Sequence, residues 1–279
     1  MDDTSGDLLN QLREADRERY LSVLFAPEDR RAALATLFLF NAETARLRDL
    51  VSEPLPGEIR LQWWRDVIAG DRAEEARQNP LAAALLDVIA AHDLPVAAFD
   101  NLLEARIFDL YDDPMPTRTD LEGHLGETAS MMIQMACQIL RGGQTPPTAD
   151  AAGHAGVAYG IATLIRQMPQ HRARGQVFLP ADLLAAAGTD AGRWLAESDD
   201  PAFATAISAF VALGREHLGK ARAALTDVPK GLRAPFAVLG VADAVLAKAS
   251  KAGTGARIEP VRLSPVTVQW RMTRQALGF

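Results

Sequence analysis

Apolar residues recur at three- and four-residue intervals along nearly the whole chain, and no stretch sustains the apolar–polar alternation of a half-buried strand. Alanine and leucine fill most of these positions and β-branched residues are scattered, so helix is the expected state almost everywhere. The pattern predicts helices over 7–24, 27–50, 57–69, 80–91, 96–110, 119–140, 150–166, 181–187, 201–226, 231–250 and 264–277. Pro27-Glu28 opens one of them, Thr119-Asp120-Leu121-Glu122 reads as an N-cap region, and Gly142-Gly143 followed by Pro146-Pro147 closes another. The breaks at 112–117, 142–147 and 252–255 are loop-sized, and composition does not shift across them. One all-α domain over 1–279 is therefore expected, with 1–19 as an N-terminal helical extension.

A chain of 279 residues, 48% of them hydrophobic, has ample material for a core. Its net charge of −7 offers no long-range attraction to a phosphate backbone, so no nucleic-acid partner is expected. The single cysteine, Cys137, excludes an internal disulfide and a CxxC zinc set, which fits a reducing cytoplasm. The N-terminus lacks the basic and apolar regions of a secretory signal. The most apolar windows, 32–40 and 234–246, are too short or too interrupted, by Gly240 and Asp243, to span a bilayer. A cytoplasmic protein is expected, with peripheral contact at the inner membrane left open.

Residues that carry chemistry are sparse. The pairs Asp2-Asp3, Asp112-Asp113 and Asp199-Asp200 have no third oxygen ligand one helical turn away, and the latter two run into Pro114 and Pro201, as turn and cap residues do. The five histidines show no metal-ligand spacing, although His171 lies in a cationic run with Arg166, Arg172 and Arg174 that is suited to an anion or to solvent. In Leu61-Gln62-Trp63-Trp64-Arg65, Leu61 and Trp64 share one helix face, while Arg60 and Arg65 lie on a neighbouring one.

Tyr20-Leu21, Phe25-Ala26-Pro27-Glu28, the stretch 32–40, Leu61-Gln62-Trp63-Trp64-Arg65 and Gly175-Gln176-Val177-Phe178-Leu179-Pro180 follow one another in an order that resembles the squalene/phytoene synthase family. The resemblance runs from Tyr20 to Phe279 and implies an isoprenoid synthase-like helix bundle around a central cavity. In active members, two aspartate-rich motifs on facing helices hold the Mg²⁺ that ionises a prenyl diphosphate. Here the first motif falls on Ala45-Arg46-Leu47-Arg48-Asp49, where only Asp49 is retained. The second falls on Thr163, Arg166, Gln167 and His171, where only the arginine is retained. The family's Tyr-x-x-x-x-Ala-Gly stretch falls on 124–130, with His124 in place of the tyrosine. Replacing four of five aspartates removes most of the charge that Mg²⁺ requires.

The runs 40–45, 51–53, 62–64, 160–166 and 177–180 are similar to the branch of the family formed by complex I assembly factors and their α-proteobacterial relatives. That likeness implies a non-catalytic binding protein without cofactor, whose partners are respiratory complex I subunits or assembly factors. It places the former active-site cavity at Asn41, Glu43, Arg46, Asp49, Arg60, Arg65, Thr163, Arg166, Gln167 and His171, with no metal ligand among them. Two alternatives stay open. One is an active prenyltransferase condensing prenyl diphosphates, which would require Mg²⁺ or arginines in its place. The other is a binder of an isoprenoid lipid or prenyl diphosphate.

Overall fold

The computed structural model describes residues 3–196 and 200–278; Asp2 and Asp199, members of two of the acidic pairs, lie outside them. Among the described residues there is no strand. The helices are α1 (Asp3–Ala15), α2 (Arg17–Leu24), α3 (Glu28–Ala45), α4 (Leu47–Leu50), α5 (Pro54–Ala69), α6 (Ala73–Gln78), α7 (Pro80–Ala91) and α8 (Val96–Leu110). They continue with α9 (Arg118–Leu125), α10 (Met131–Leu140), α11 (Ala149–Ala173), α12 (Ala181–Ala186), α13 (Ala191–Leu195), α14 (Pro201–Ala224), α15 (Leu239–Ala252) and α16 (Pro265–Leu277).

Two apolar clusters lie side by side. One is gathered around α3, whose residues 34–40 are all buried, and takes in α1, α5, α7, α8 and α10. The other is gathered around α11 and takes in α14, α15 and the buried face of α16. Phe25 and Leu140 pack against both and join them. Burial of so many side chains supplies the main stabilisation, since helix propensity alone holds such segments only marginally. No helix among the described residues is long and apolar enough to cross a membrane.

Most of the differences from the predicted elements cluster at one place in the fold; away from it, the helix expected over 231–250 begins only at Leu239, after 3-10 turns over Lys230–Leu232 and Ala234–Val238. The helix expected over 7–24 breaks at Asp16, whose carboxylate accepts the Arg19 N–H at 2.9 Å and so caps α2. The helix expected over 27–50 breaks at Arg46. That expected over 119–140 starts earlier, at a capping box of Thr117 with Asp120, and is interrupted by a π turn over Gly126–Ser130. The helix expected to end at Arg166 runs on through Pro169 to Ala173. Proline removes one backbone hydrogen bond there, but Leu164, Ile165 and Met168 are buried around it and hold the turn in place. Asp200 caps α14 as the sequence suggests, accepting the Ala202 N–H at 2.9 Å.

The family-like element 175–180 runs extended beside 113–117. The Met115 N–H donates to the Val177 carbonyl at 3.0 Å, and the Ala181 N–H donates to the Met115 carbonyl at 2.9 Å. Gly175, at φ 80°, turns the chain out of α11 to begin this run.

Candidate functional site

The helix interruptions converge on one cavity of about 430 Å³. It is walled by the α1–α2 break, the α3–α4 break, α8, the π turn and the C-terminal half of α11, at the seam between the two apolar clusters. Five arginines line it (Arg19, Arg46, Arg48, Arg106 and Arg174), with two histidines (His124 and His171) and three carboxylates (Asp16, Asp49 and Asp109). With the histidines neutral, the wall carries more positive than negative charge although the whole chain is acidic.

Each carboxylate already has a partner in the protein. Asp49 is ion-paired with Arg174 across the mouth. Asp109 lies 2.9 Å from Arg106 and 3.2 Å from His124, and both side chains are largely buried. Burial alone would raise the Asp109 pKa, but His124 and Arg106 outweigh it and hold this carboxyl down at about 2. Asp16 is tied to the start of α2, and its carboxyl is raised by burial, against the lowering effect of Arg19. His171, against the Phe178 ring at 4.6 Å, is pushed down to about 4, first by burial and then by the nearby Arg174.

The arginines are less fully engaged. Arg19 is 2% exposed and lies between the rings of Phe38 (4.8 Å) and Tyr159 (4.9 Å), with its Nη1 lacking a hydrogen-bond partner. Arg106 donates to the Asn41 side-chain carbonyl at 3.2 Å while its Nε is buried and unpartnered. Gln176 closes the base, donating to the carbonyls of Asp109 (3.0 Å) and Tyr111 (3.1 Å).

Of the ten residues proposed from the sequence, the structure brings Asn41, Arg46, Asp49, Thr163, Gln167 and His171 to this wall. Glu43 and Arg60 instead line a smaller pocket of about 260 Å³ beside Trp63 and Trp64, which shares Arg46 with the larger one. Glu43 is raised by burial, with Arg46 acting in the opposite sense. Arg65 is a correction: it clamps α5 to α8 through Asp100 (2.6 Å) and Glu104 (2.8 Å), because its face of α5 packs on α8 rather than on the cavity. Arg166 is a second correction. It is drawn away from the cavity wall by Glu18 of α2, and its charge is held by that carboxylate against the penalty of burial. Sequence reasoning missed Arg19, Arg106 and Asp109. The only available signal was the Arg106–Asp109 spacing of three on α8, which is common on helix faces.

The family resemblance implies Mg²⁺ in this cavity. Mg²⁺ takes carboxylate oxygens in near-octahedral geometry. The three carboxylates here sit on separate elements and are committed to guanidinium, imidazole or backbone N–H groups, and five arginines surround them. Among the described residues no group of three or more His, Cys, Asp or Glu is placed to hold a metal ion. These side chains do not fit that cation.

Comparison with known proteins agrees with the architecture. A family model described as squalene/phytoene synthase matches residues 12–272. The chain is 30% identical over 222 residues to the NADH dehydrogenase (ubiquinone) complex I assembly factor 6 of Bos taurus, which covers 79% of this chain and 66% of the relative. The Homo sapiens assembly factor 6 matches to the same extent, so the chain spans just under two thirds of the length of these relatives. A 15-cis-phytoene synthase of Synechococcus elongatus is 24% identical over 177 residues, 60% of this chain and 57% of that protein. Among solved structures, a dehydrosqualene synthase in complex with ligand superposes with a TM-score of 0.80 at 12% identity, covering 98% of this chain and 95% of the other. Squalene synthase HpnC from Alicyclobacillus acidocaldarius gives 0.76 at 18% identity, covering 92% and 95%. At these identities the structural likeness concerns the fold.

Proposed function

The chain belongs to the squalene/phytoene synthase family, and from that premise we propose that it is a member that works by binding, in the assembly of a respiratory NADH dehydrogenase, rather than by condensing prenyl diphosphates. The observation that carries this reading is the cavity wall, where every carboxylate has a partner among the protein's own groups, Asp109 keeping only its Oδ1 without a hydrogen bond, and arginines outnumber acids. Departure of a diphosphate needs a cation to take the developing charge, and Mg²⁺ held by free carboxylates is the usual means. Ala45, Arg46, Gln167 and His171 occupy the positions where the resemblance places such carboxylates. The similarity to complex I assembly factors supports the binding role, and implies protein partners among the subunits or assembly factors of that enzyme.

Two measurements test it. Diphosphate release from farnesyl and geranylgeranyl diphosphate, with Mg²⁺ and with EDTA, is expected to stay at background while an active synthase run in parallel turns over. Metal-dependent turnover would sink the reading. Expression in cells lacking the assembly factor, addressed to the same compartment, is expected to restore complex I.

A second reading is favoured by the unpartnered buried nitrogens of Arg19 and Arg106 beside the cavity: it retains an anionic ligand held directly by guanidinium groups. Titration with pyrophosphate in EDTA distinguishes the two. Saturable binding lost in Arg106→Gln supports the ligand, and absence of binding removes it.

A further inference from the structure

The C-terminal helix α16 carries an apolar stripe on the side away from the core. Val268 and Met272 are buried against the rest of the molecule, whereas Val266, Trp270 and Leu277 are 76%, 54% and 60% exposed. At 100° per residue these three fall within an arc of about 40°, roughly opposite the buried pair. A 13-residue helix thus shows two apolar faces, only one of which the fold covers.

The charged side chains of α16 itself have one sign. α16 contains Arg271 and Arg274 and no acidic residue, in a chain of net charge −7. Both guanidinium groups lie over the Trp270 ring, at 5.4 and 5.5 Å from its centroid. Asp243 is shared by Arg271 (3.2 Å) and Arg222 (3.3 Å), two cations to one carboxylate. The Lys248 ammonium donates to the Arg262 carbonyl at 2.7 Å, bringing another cation to the segment that leads into α16. An exposed tryptophan stacked with arginines beside small aliphatic side chains has the composition of a helix lying at a lipid–water boundary.

We infer that the outer face of α16 docks the protein on an anionic lipid surface, with Val266, Trp270 and Leu277 entering the headgroup region and the arginines meeting lipid phosphates. Charge complementarity selects this occupant over a second copy of the chain, because two such faces would bring like charges together. Neither the proposed role in assembly nor the content of the cavity bears on this inference.

The test is co-sedimentation of the full chain with vesicles of phosphatidylcholine alone and of phosphatidylcholine with 30% phosphatidylglycerol. Binding is expected to the anionic vesicles only, and to weaken as salt rises. Trp270→Ala should reduce partitioning by on the order of tenfold. Arg274→Gln should reduce it by about fivefold at low salt, the loss of one cation near such a surface. Val266→Asn, at a position more exposed than Trp270, guards against a folding defect in the tryptophan variant and should also bind more weakly. Absence of binding to anionic vesicles, or binding unaltered in all three variants, overturns the inference. So does concentration-dependent self-association that Trp270→Ala abolishes, which would assign the face to a second copy.

Discussion

Glu18 and Arg166 are joined across 148 positions of chain in a two-pronged ion pair that fastens α2 to α11. Both guanidinium Nη atoms donate to the carboxylate, the Nη2–Oε2 contact being 3.2 Å, and the Tyr159 hydroxyl donates to the same oxygen at 2.8 Å. Burial opposes the charge on Arg166, and Glu18 more than offsets it, so its pKa is raised. The arginine that matches the family's second motif is therefore a strut beside the cavity. Its side chain is 25% exposed and that of Glu18 is 12% exposed, which places the pair among partly desolvated ones rather than surface ones.

Glu18→Gln leaves that guanidinium without its counter-charge in a confined site. The expected cost is about 3 kcal/mol, the lower end of the range for breaking a buried pair, with a fall in Tm of roughly 6–10 °C. Thermal unfolding of Glu18→Gln, Arg166→Gln and the double variant checks it. The double variant should lose less than the sum of the two single variants.

His171 gives stability a pH dependence of known sign. Its folded pKa of about 4 lies below the ordinary 6.5, through burial and then the repulsion of Arg174. The unfolded chain therefore binds the extra proton more readily, and stability falls as pH drops from about 6.5 towards 4. The full difference amounts to about 3 kcal/mol. His171→Gln should flatten the denaturation midpoint across that window relative to the parent, and the imidazole resonances of His171 should remain those of the neutral ring at pH 5.5.

Asp109 acts in a more acidic window. Burial raises its pKa, but His124 and Arg106 together bring it to about 2, below the ordinary 3.8. The stabilisation, about 2 kcal/mol, is present above pH 3.8 and disappears as pH falls through the folded value. The stability gap between the parent and Asp109→Asn should close between pH 4 and 2, as read by urea unfolding at each pH.

Much of this architecture can be read from residue order. Helices α7 and α8 begin and end where the apolar period and Pro80, Pro95 and the flanking polar residues put them. The all-α fold and the family follow from elements such as Leu61–Arg65 and Gly175–Pro180. What escapes is where helices are interrupted, because no Pro marks Asp16, Arg46 or the π turn at 126–130 and the apolar period runs through all three, with Asp16 acting as a cap inside it. Those interruptions form the cavity, so its wall is less legible than the core. Asp49, Gln167 and His171 could be placed by counting along motifs, and Asn41 by the likeness of the run 40–45. Arg19 could not, since its position depends on two rings, Phe38 and Tyr159, from separate helices.

Two glycines three positions apart on α11 should respond to alanine in opposite directions. A Cβ on Gly156 would lie 2.3 Å from the Ser130 backbone, N and Cα, so the clash is with main chain that cannot rotate away. Ser130 ends the π turn and is itself fixed, its hydroxyl donating to the Gly153 carbonyl at 2.7 Å. Gly156→Ala must therefore separate α11 from the turn that lines the cavity, at a cost of about 3 kcal/mol, the upper end of ordinary overpacking. A Cβ on Gly153 meets nothing within 4 Å. There alanine only removes backbone freedom from the unfolded chain, and Gly153→Ala should stabilise by about 0.5–1 kcal/mol. Chemical denaturation of the two variants gives the comparison directly. A Gly156→Ala protein as stable as the parent would mean that α11 and the π turn are not in the close contact on which the shape of the cavity depends.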